Sequence, residues 1–145
     1  MSLTLKQATP ADIEIVARLL DRADLPTADV EAGGSVTFYL GRADDRVVAV
    51  GGLEPCGEAC LLRSVAVPAP ERGNGYGTAM VTGLLDQAAD RFETCYLLTT
   101  TANAFFARRG FETVNRETVP ASVRETRQFA DICPSSATVM RRSLP

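Results

Sequence analysis

A glycine-rich passage between a strand pattern and a helix pattern constrains the fold more than any other feature of this chain. Residues 67–80 read VPAPERGNGYGTAM, with glycines at Gly73, Gly75 and Gly77. A run rich in β-formers precedes the passage, and a helical pattern follows over residues 75–89. Glycine permits positive φ and a close backbone approach to a ligand, and a helix N-terminus adds unpaired N–H groups. The passage is therefore either a tight turn or a cradle for a phosphate.

Two known phosphate-binding motifs do not match this passage. A P-loop ends in Gly-Lys followed by Ser or Thr, and that ending is missing here. The dinucleotide fingerprint spaces its glycines as GxGxxG, whereas these run GxGxG. Arg72 stands immediately before the first glycine and supplies a cationic group for an anion. The pattern favours a phosphate site of another kind.

Length, charge and the lack of histidine exclude several classes of function. The 145 residues are 46% hydrophobic, which predicts one domain with a full core. A net charge of -3 lacks the excess of positive charge that is typical of proteins that bind nucleic acid. Since neither a membrane-length apolar run nor a signal-peptide pattern is found, we expect a cytoplasmic protein without membrane contact. Without histidine, a carboxylate, a water or an unusual residue must serve as any general base.

The cysteines leave two interpretations open. Cys56, Cys60, Cys95 and Cys133 form no CxxC pair, and a cytosolic location argues against disulfides. The first interpretation is four free thiols. The second is that Cys56 and Cys60, in EPCGEACL, lie close enough together to bind a soft metal or metalloid.

Strand and helix patterns follow one another in the manner of a mixed α/β protein. Strand patterns cover residues 3–8, 35–41, 46–53, 59–67, 94–100, 111–119 and 136–142. Turns are predicted at residues 43–45 and 54–58, and helices over residues 10–25, 28–32, 75–89, 102–109 and 120–129. The order predicts an α/β fold of the mixed α+β type, with helices packed on one sheet.

Two motifs resemble those of the GCN5-related N-acetyltransferases (GNAT). That family's signature is [Gln/Arg]-x-x-Gly-x-[Gly/Ala], and RGNGYG, from Arg72 to Gly77, matches it directly after SVAVP. ANAFFARRGFE resembles the family's second element, a short helix that ends in a Gly-Phe pair. LLRSVAV, LLTTTANAFFARRGF and TRQFADICPSSA further resemble the small acetyltransferases found with arsenic-resistance genes. The predicted element order agrees with the family over almost the whole chain.

The resemblance implies a mostly antiparallel central sheet in which one parallel strand pair splays apart. The pair would be residues 59–67 and 94–100, and acetyl-CoA would lie in the gap between them. The backbone near Val65 and Val67 would bind the pantetheine arm, and the glycine loop would hold the pyrophosphate. The implied donor contacts are Val65, Val67, Arg72, Gly73, Asn74, Gly75, Tyr76, Gly77, Asn103 and Phe106.

Acetyl transfer from a thioester to an amine requires a polarised carbonyl, a stabilised leaving thiolate and a deprotonated amine. A backbone N–H near Val65 would polarise the carbonyl. Many family members protonate the thiolate with a tyrosine in the short helix, but that position is Phe106 here. Thr101, Tyr96 or a water would have to substitute, and we take Thr101 as the candidate.

Charged and hydroxyl residues near the expected cleft are candidates for the base and the acceptor site. Glu54 and Glu58 flank a predicted turn, and we favour Glu54 as base because it follows the apolar run VVAVGGL. Arg63 interrupts the apolar strand CLLRSVAV, so it either faces solvent or faces the cleft and pairs with a carboxylate. Thr99 either reflects β-propensity or offers a hydroxyl to the acceptor.

The resemblance implies an acetyl-CoA-dependent N-acetyltransferase that needs no metal. The acceptor would be the amine of a small molecule, amino-acid-like or an organoarsenical, in a context of arsenic or toxin resistance. The alternative is a non-catalytic module that binds acyl-CoA or senses a metalloid. Homodimers are common in the family, so this chain is also a candidate homodimer. A further wall of the cleft is expected from residues near the C-terminus, namely Gln128, Phe129, Cys133 and Ser135.

Overall fold

The computed structural model describes residues 3–25, 27, 30, 36–126 and 137–144. Within these residues the strands are β1 (Thr4–Gln7), β2 (Thr37–Ala43), β3 (Arg46–Cys56), β4 (Ala59–Ala66), β5 (Thr94–Thr99), β6 (Glu112–Thr113) and β7 (Thr138–Ser143). The α-helices among them are α1 (Ile13–Arg22), α2 (Tyr76–Ala89), α3 (Asn103–Ala107) and α4 (Ala121–Arg124). Apart from Val30, the helix expected over residues 28–32 lies outside the described residues. The end of the helix expected over residues 120–129 and the expected wall from Gln128, Phe129, Cys133 and Ser135 lie outside them as well.

The described strands form one mixed sheet in the order β1-β2-β3-β4-β5-β7-β6. Every neighbouring pair is antiparallel except β4 and β5, which run parallel. The predicted fold class is therefore confirmed, including the parallel pair near the centre of the sheet. The predicted hairpin turn between β2 and β3 is also confirmed, since Asp44 and Asp45 both adopt positive φ there.

The start of α1 follows its sequence signals. Thr9 donates its backbone N–H to the Asp12 carboxylate at 2.9 Å, forming a capping box around the turn that precedes the helix. From α1, Val16, Leu19 and Leu20 are buried, and they pack against apolar residues of β2 and β3. The helical spacing of the apolar residues thus places one face of α1 on the sheet.

Helix α2 packs across the middle of the sheet. Its buried residues include Met80 and Leu84, which are fully enclosed in the largest core cluster. The same cluster contains Leu62 of β4, Leu97 of β5 and Met140 of β7. The core cluster that α2 shares with the sheet therefore spans the parallel pair, and the glycine loop at the N-terminus of α2 follows the end of β4.

The predicted turn over residues 54–58 is wrong in extent, because the structure confines the turn to residues 57–58. Strand β3 continues to Cys56, with Glu54 opposite Leu61 and Pro55 opposite Cys60 in β4. Gly57 has a φ of 66° and so allows a tight reversal of only two residues. The hairpin therefore draws Glu54 into the strand, where it is buried.

The predicted strand over residues 111–119 is also wrong in extent. Only Glu112–Thr113 pairs with β7 as a strand. The Asn115 side chain then accepts a hydrogen bond from the Glu117 N–H at 3.0 Å and starts a 3₁₀ turn. Local side-chain capping thus competes with strand pairing and ends β6 early.

No helix among the described residues is long and apolar enough to cross a bilayer.

Candidate active site

A cleft opens where β4 and β5 separate. The two strands pair only from Ala59 to Leu61 against Thr94 to Tyr96, and beyond these positions their ladder ends. A cavity of about 530 Å³ lies between the diverging ends. Its lining includes Val65, Val67, Thr99, Thr101 and Phe106, which are five of the residues that the sequence nominated for the site.

A β-bulge shapes the β4 wall of this cleft. Gly52 and Val50 of β3, two positions apart, pair with Arg63 and Ala66 of β4, which are three positions apart. The extra residue falls at Ser64 and Val65, and Ser64 adopts a φ of 58°, which is unusual for a residue other than glycine. The bulge takes the backbone of Ser64 and Val65 out of the β3 ladder beside the cleft. Sequence reasoning did not find it, since an Arg-Ser pair in an apolar strand carries no bulge signal.

Arg63 is buried, so the solvent-facing interpretation is wrong. The residue is 3% exposed, and its Nη1 lies 3.2 Å from Oε1 of Glu54 on the neighbouring strand. Its Nε donates to the Ser64 hydroxyl at 3.2 Å. Arg63 lines the cleft, although its side chain is enclosed, and Glu54 lies behind it. The arginine therefore links the candidate base to the bulge that forms the cleft wall.

The glycine loop adopts the conformation that its composition predicts. Gly73 and Gly75 have φ values of 86° and 79°, and Gly75 is the N-cap of α2. A Cβ added at either residue would meet no atom within 4 Å, so backbone conformation rather than crowding requires glycine there. The first turn of α2 closes with the Ala79 N–H donating to the Gly75 carbonyl at 3.1 Å. The N–H groups of the residues before Ala79 therefore precede the first intrahelical hydrogen bond, and such groups suit an anion.

The side chains of the loop are held by nearby backbone groups. The Nε of Arg72 donates to the Val67 carbonyl at 2.9 Å, which fixes the guanidinium beside the cleft. The Asn74 amide donates to the Glu71 carbonyl at 3.1 Å. The Tyr76 ring is buried in a core cluster with Val48, so this residue presents only its backbone to the loop. An anion at this site would thus meet mainly main-chain N–H groups and the Arg72 cation.

The candidate catalytic positions on β5 and α3 differ in their surroundings. Thr101 is exposed and lines the cleft, whereas the Thr99 hydroxyl already accepts a hydrogen bond from the Ala102 N–H at 2.9 Å. Phe106 lines the cleft and packs edge-on against Phe111 with ring centroids 5.7 Å apart. Phe106 therefore offers an aromatic ring without a hydroxyl at the position where many family members have a tyrosine.

Three other nominated residues lie away from the cleft. The Asn103 amide donates to the Thr138 hydroxyl at 3.0 Å and ties α3 to β7, outside the cleft lining. Tyr96 is buried in a cluster with Val123 of α4, and Glu58 lies in the β3–β4 turn; both line a different cavity. The cleft lining instead includes Asp24 and Leu25, which follow α1 and which sequence reasoning missed because they are remote in the chain.

The cysteine pair proposed as a metalloid site is not formed. Cys56 packs on one face of the sheet with Leu61, and Cys60 packs on the other face beside Cys95. Successive residues of a strand point to opposite faces, so sequence proximity did not bring these thiols together. Burial raises the pKa of Cys56 to about 12, and hydrogen bonding with Cys60 together with burial raises that of Cys95. The described part of the chain contains no group of three or more cysteine and acidic residues that could hold a metal.

Solved structures share this architecture. N-acetylglutamate synthase from Neisseria gonorrhoeae, solved with coenzyme A and N-acetyl-glutamate, matches at a TM-score of 0.81 and 18% identity over 100% of this chain and 36% of that chain. Rv2747 from Mycobacterium tuberculosis, in complex with CoA, matches at 0.77 and 23% identity over 98% and 99% of the two chains. A GNAT-family acetyltransferase from Staphylococcus aureus matches at 0.76 and 17% identity over 99% and 100%. At these identities the likeness concerns the fold.

Comparison of the sequence with family profiles shows the family as well as the fold. The chain spans 36% and 33% of the two N-acetylglutamate synthase chains that it matches, although it covers nearly all of the other two structures. No curated protein matches the sequence. The profile of the acetyltransferase (GNAT) family matches residues 9–111, which include the bulge, the glycine loop and every residue of the cleft lining except Ala137. The chain belongs to the GNAT acetyltransferase family.

Proposed function

We propose that this protein transfers the acetyl group of acetyl-CoA to the amine of a small molecule. The observation that carries the proposal is the position of the β4/β5 cleft, which opens directly beside the glycine loop at the N-terminus of α2. A loop suited to a phosphate and a cleft would therefore adjoin each other. Membership of the GNAT family supports the proposal, as do neighbours solved with coenzyme A.

The donor site would use backbone groups more than side chains. N–H groups of Gly73, Asn74, Gly75, Tyr76 and Gly77 would bind the pyrophosphate, because the loop ends at the N-terminus of α2, where backbone N–H groups have no partner within the helix. The nearby cation of Arg72 would add a charge-assisted contact.

The pantetheine arm would extend along β4 beyond the bulge. Val65 lies outside the ladder with β3, so its backbone is available to the cleft. Val67 would offer its backbone N–H and the remaining acceptor capacity of its carbonyl, which already accepts a hydrogen bond from Arg72. Phe106 would pack against the arm, while Asn103 would act on the site by holding α3 against β7.

Acetyl-CoA supplies a thioester, whose carbonyl carbon is open to attack by an amine. We assign the Val65 N–H to polarise that carbonyl, because the bulge turns this part of β4 out of its ladder. Thr101 is assigned to protonate the leaving thiolate, since Thr101 is exposed and lines the cleft. Glu54 is assigned as the base; because it lies behind Arg63, it would accept the proton through a water.

The acceptor is proposed to be a small molecule, because the cleft volume of about 530 Å³ must also hold the end of the donor. Arg63 and Thr99 are the proposed contacts for an amino-acid-like acceptor. Because the Arg63 side chain is enclosed and paired with Glu54, it would have to share its guanidinium with the acceptor carboxylate. An organoarsenical acceptor and a role in arsenic resistance rest on the sequence resemblance alone.

The donor site can be tested with two glycine variants of the same loop. Gly75→Ala forces a side chain into positive φ, at a cost of about 1–2 kcal/mol, and should weaken acetyl-CoA binding at least ten-fold. Gly77→Ala is the matched control, since Gly77 does not have positive φ and its added Cβ would lie 3.8 Å from Phe105. Calorimetric titration with acetyl-CoA measures both. Equal affinities for the two variants would contradict the loop assignment.

The reaction can be tested by the release of free CoA thiol with a panel of amines, amino acids and organoarsenicals. The proposal predicts that at least one amine accelerates release and is recovered in acetylated form. If acetyl-CoA binds but no acceptor stimulates release, the result would favour the non-catalytic acyl-CoA-binding module instead.

We also propose that the chain forms a single domain, because one core cluster unites strands on both sides of the cleft.

A further inference from the structure

The hydroxyl of Ser64 lies where the cleft wall meets a buried guanidinium. Ser64 is half-buried and lines the cleft, at the bulge that takes this part of β4 out of its ladder with β3. Its φ of 58° is uncommon for a residue other than glycine, and backbone strain of this kind is concentrated at functional sites. The contacts of the serine side chain therefore bear on what the bulge does.

The hydrogen bond between Arg63 and Ser64 can run in one direction only. Nε of Arg63 lies 3.2 Å from Oγ of Ser64, and a guanidinium carries donors but no acceptor. The serine oxygen must therefore accept, and its single proton must point away from Nε. No residue in the described part of the chain accepts that proton. Ser64 thus retains one hydrogen-bond donor for a group in the cleft.

The guanidinium of Arg63 is not itself open to the cleft. Its side chain has an exposure of 0%, and its Nη1 lies 3.2 Å from Oε1 of Glu54. An anion that bound it directly would have to displace the atoms that enclose it and compete with a buried carboxylate. A hydroxyl that accepts a hydrogen bond from a cation is polarised and donates more strongly. Part of the electrostatic effect of Arg63 therefore reaches the cleft through Ser64.

Arg63 extends from the face of the sheet opposite α2. Leu61, two positions earlier in β4, packs in a cluster with Val123 of α4, and residues two apart in a strand share a face. The glycine loop leads into α2 on the other face, where Leu62 and Val65 pack with the α2 core. A donor held by that loop would enter from the α2 side. The hydroxyl bound to Arg63 therefore lies on the side that is left to the acceptor.

We propose that Ser64 binds the carboxylate of the acceptor, and that Arg63 is a positioning residue that orients and polarises its hydroxyl. The inference rests on the proposed function and names the contact that selects an amino-acid-like acceptor. In the complex, the Ser64 hydroxyl donates to the carboxylate while its oxygen still accepts from Arg63. The pair with Glu54 stays closed, so no buried charges are separated on binding. An acceptor with an uncharged amide in place of the carboxylate would lose the charge-assisted part of this hydrogen bond.

The test compares the standard amino acids with their amides as acetyl acceptors. The wild-type protein should acetylate at least one amino acid with a kcat/KM at least about ten-fold above that of its amide, as expected for a hydrogen bond to a charged group. Ser64→Ala should reduce this ratio below about three-fold through a raised KM for the acid alone, with kcat unchanged. Ser64→Gly removes the same hydroxyl and suits positive φ, so it provides the same comparison if Ser64→Ala does not fold.

Two further variants separate the serine from its surroundings. Ser122→Ala is the matched control, because the Ser122 hydroxyl donates to the Cys56 carbonyl at 3.2 Å and the residue lines a different cavity. It should leave the ratio unchanged. Arg63→Lys retains a charge for Glu54 but lacks the Nε donor, so it should raise the KM for the acid about three-fold and leave that for the amide unaffected. An equal effect on acid and amide would overturn the positioning role of Arg63.

The serine contact and the proposed function fail on different results. Acetylation of amines without any preference for the acid would overturn the contact alone. A Ser64→Ala variant that keeps the wild-type ratio, or that lowers kcat for acid and amide equally, would also overturn it, because the hydroxyl would then not touch the acceptor carboxylate. If the wild-type protein acetylates no amine at all, the proposed function fails, and the contact fails with it.

Discussion

The buried pair of Glu54 and Arg63 offers the sharpest test of how the cleft wall is built. The two side chains lie 3.2 Å apart, with exposures of 10% and 0%, so water screens their interaction little. Each also takes part in at least one further interaction, so the pair belongs to a network. We therefore expect a change at either residue to affect both stability and the shape of the cleft.

The expected magnitude follows from the burial. Removing one member of a buried ion pair typically costs about 3–5 kcal/mol, because the remaining charge loses its partner. Arg63→Met should therefore destabilise the protein by about 3–5 kcal/mol. Glu54→Gln retains an oxygen for Nη1 but loses the charge, and should cost about 1–3 kcal/mol. The double variant should cost less than the sum of the two single changes, because neither charge of the pair remains in it.

Urea denaturation of the wild type, the two single variants and the double variant measures the coupling. We expect a coupling free energy of about 2 kcal/mol. Glu112→Gln is the control, because its pair with Arg141 is long, at 3.7 Å, and Glu112 is 71% exposed. That variant should change the stability by no more than about 0.5 kcal/mol. A coupling near zero, or a Glu54→Gln variant as harmless as the control, would refute the reasoning.

Three further predictions concern single positions. Gly51→Ala would place a Cβ 2.5 Å from Cδ1 of Leu84, so we expect a loss of about 1–3 kcal/mol in urea denaturation. Cys56 has a pKa raised from 9.0 to about 12, so the stability that its protonated thiol contributes is complete below pH 9 and is lost as the pH rises towards 12. In a Cys133→Ser variant at pH 8, iodoacetamide should modify no described thiol until the protein is unfolded; rapid alkylation would show that the burial is wrong. Thr101→Val should lower kcat about a hundred-fold with the KM for acetyl-CoA unchanged, and an unaltered kcat would remove Thr101 from the reaction.

The conformation of the glycine loop could be predicted from the sequence because its determinants are local. Strand β4, the glycine loop and α2 follow one another in the chain, and positive φ at Gly73 and Gly75 is a property of each residue itself. The order of elements followed from the strand and helix patterns along the chain, and the parallel β4/β5 pair followed from the family resemblance. Nothing beyond neighbouring residues was needed to locate this end of the cleft.

The rest of the site depends on register and on contacts between distant residues. Whether Glu54 meets Arg63 is decided by the pairing of β3 with β4, and the sequence placed Glu54 in a turn. Cys56 and Cys60 are four positions apart, yet the pleat and the tight turn put their thiols on opposite faces. The bulge at Ser64 has no residue that requires it. A shift of one residue in register changes each of these outcomes, and composition does not report register.

The short ladder between β4 and β5 also has a mechanical consequence. Only three residue pairs join the four-stranded part of the sheet to the part formed by β5, β7 and β6, so backbone hydrogen bonds contribute little to holding the two parts together there. The side chains of α2 connect them instead, through a core that includes residues of β3, β4, β5 and β7. Because apolar packing has no fixed direction, small rotations of one part against the other retain most of this contact. The β4/β5 junction is thus the line along which the sheet can flex to widen the cleft while its core stays closed.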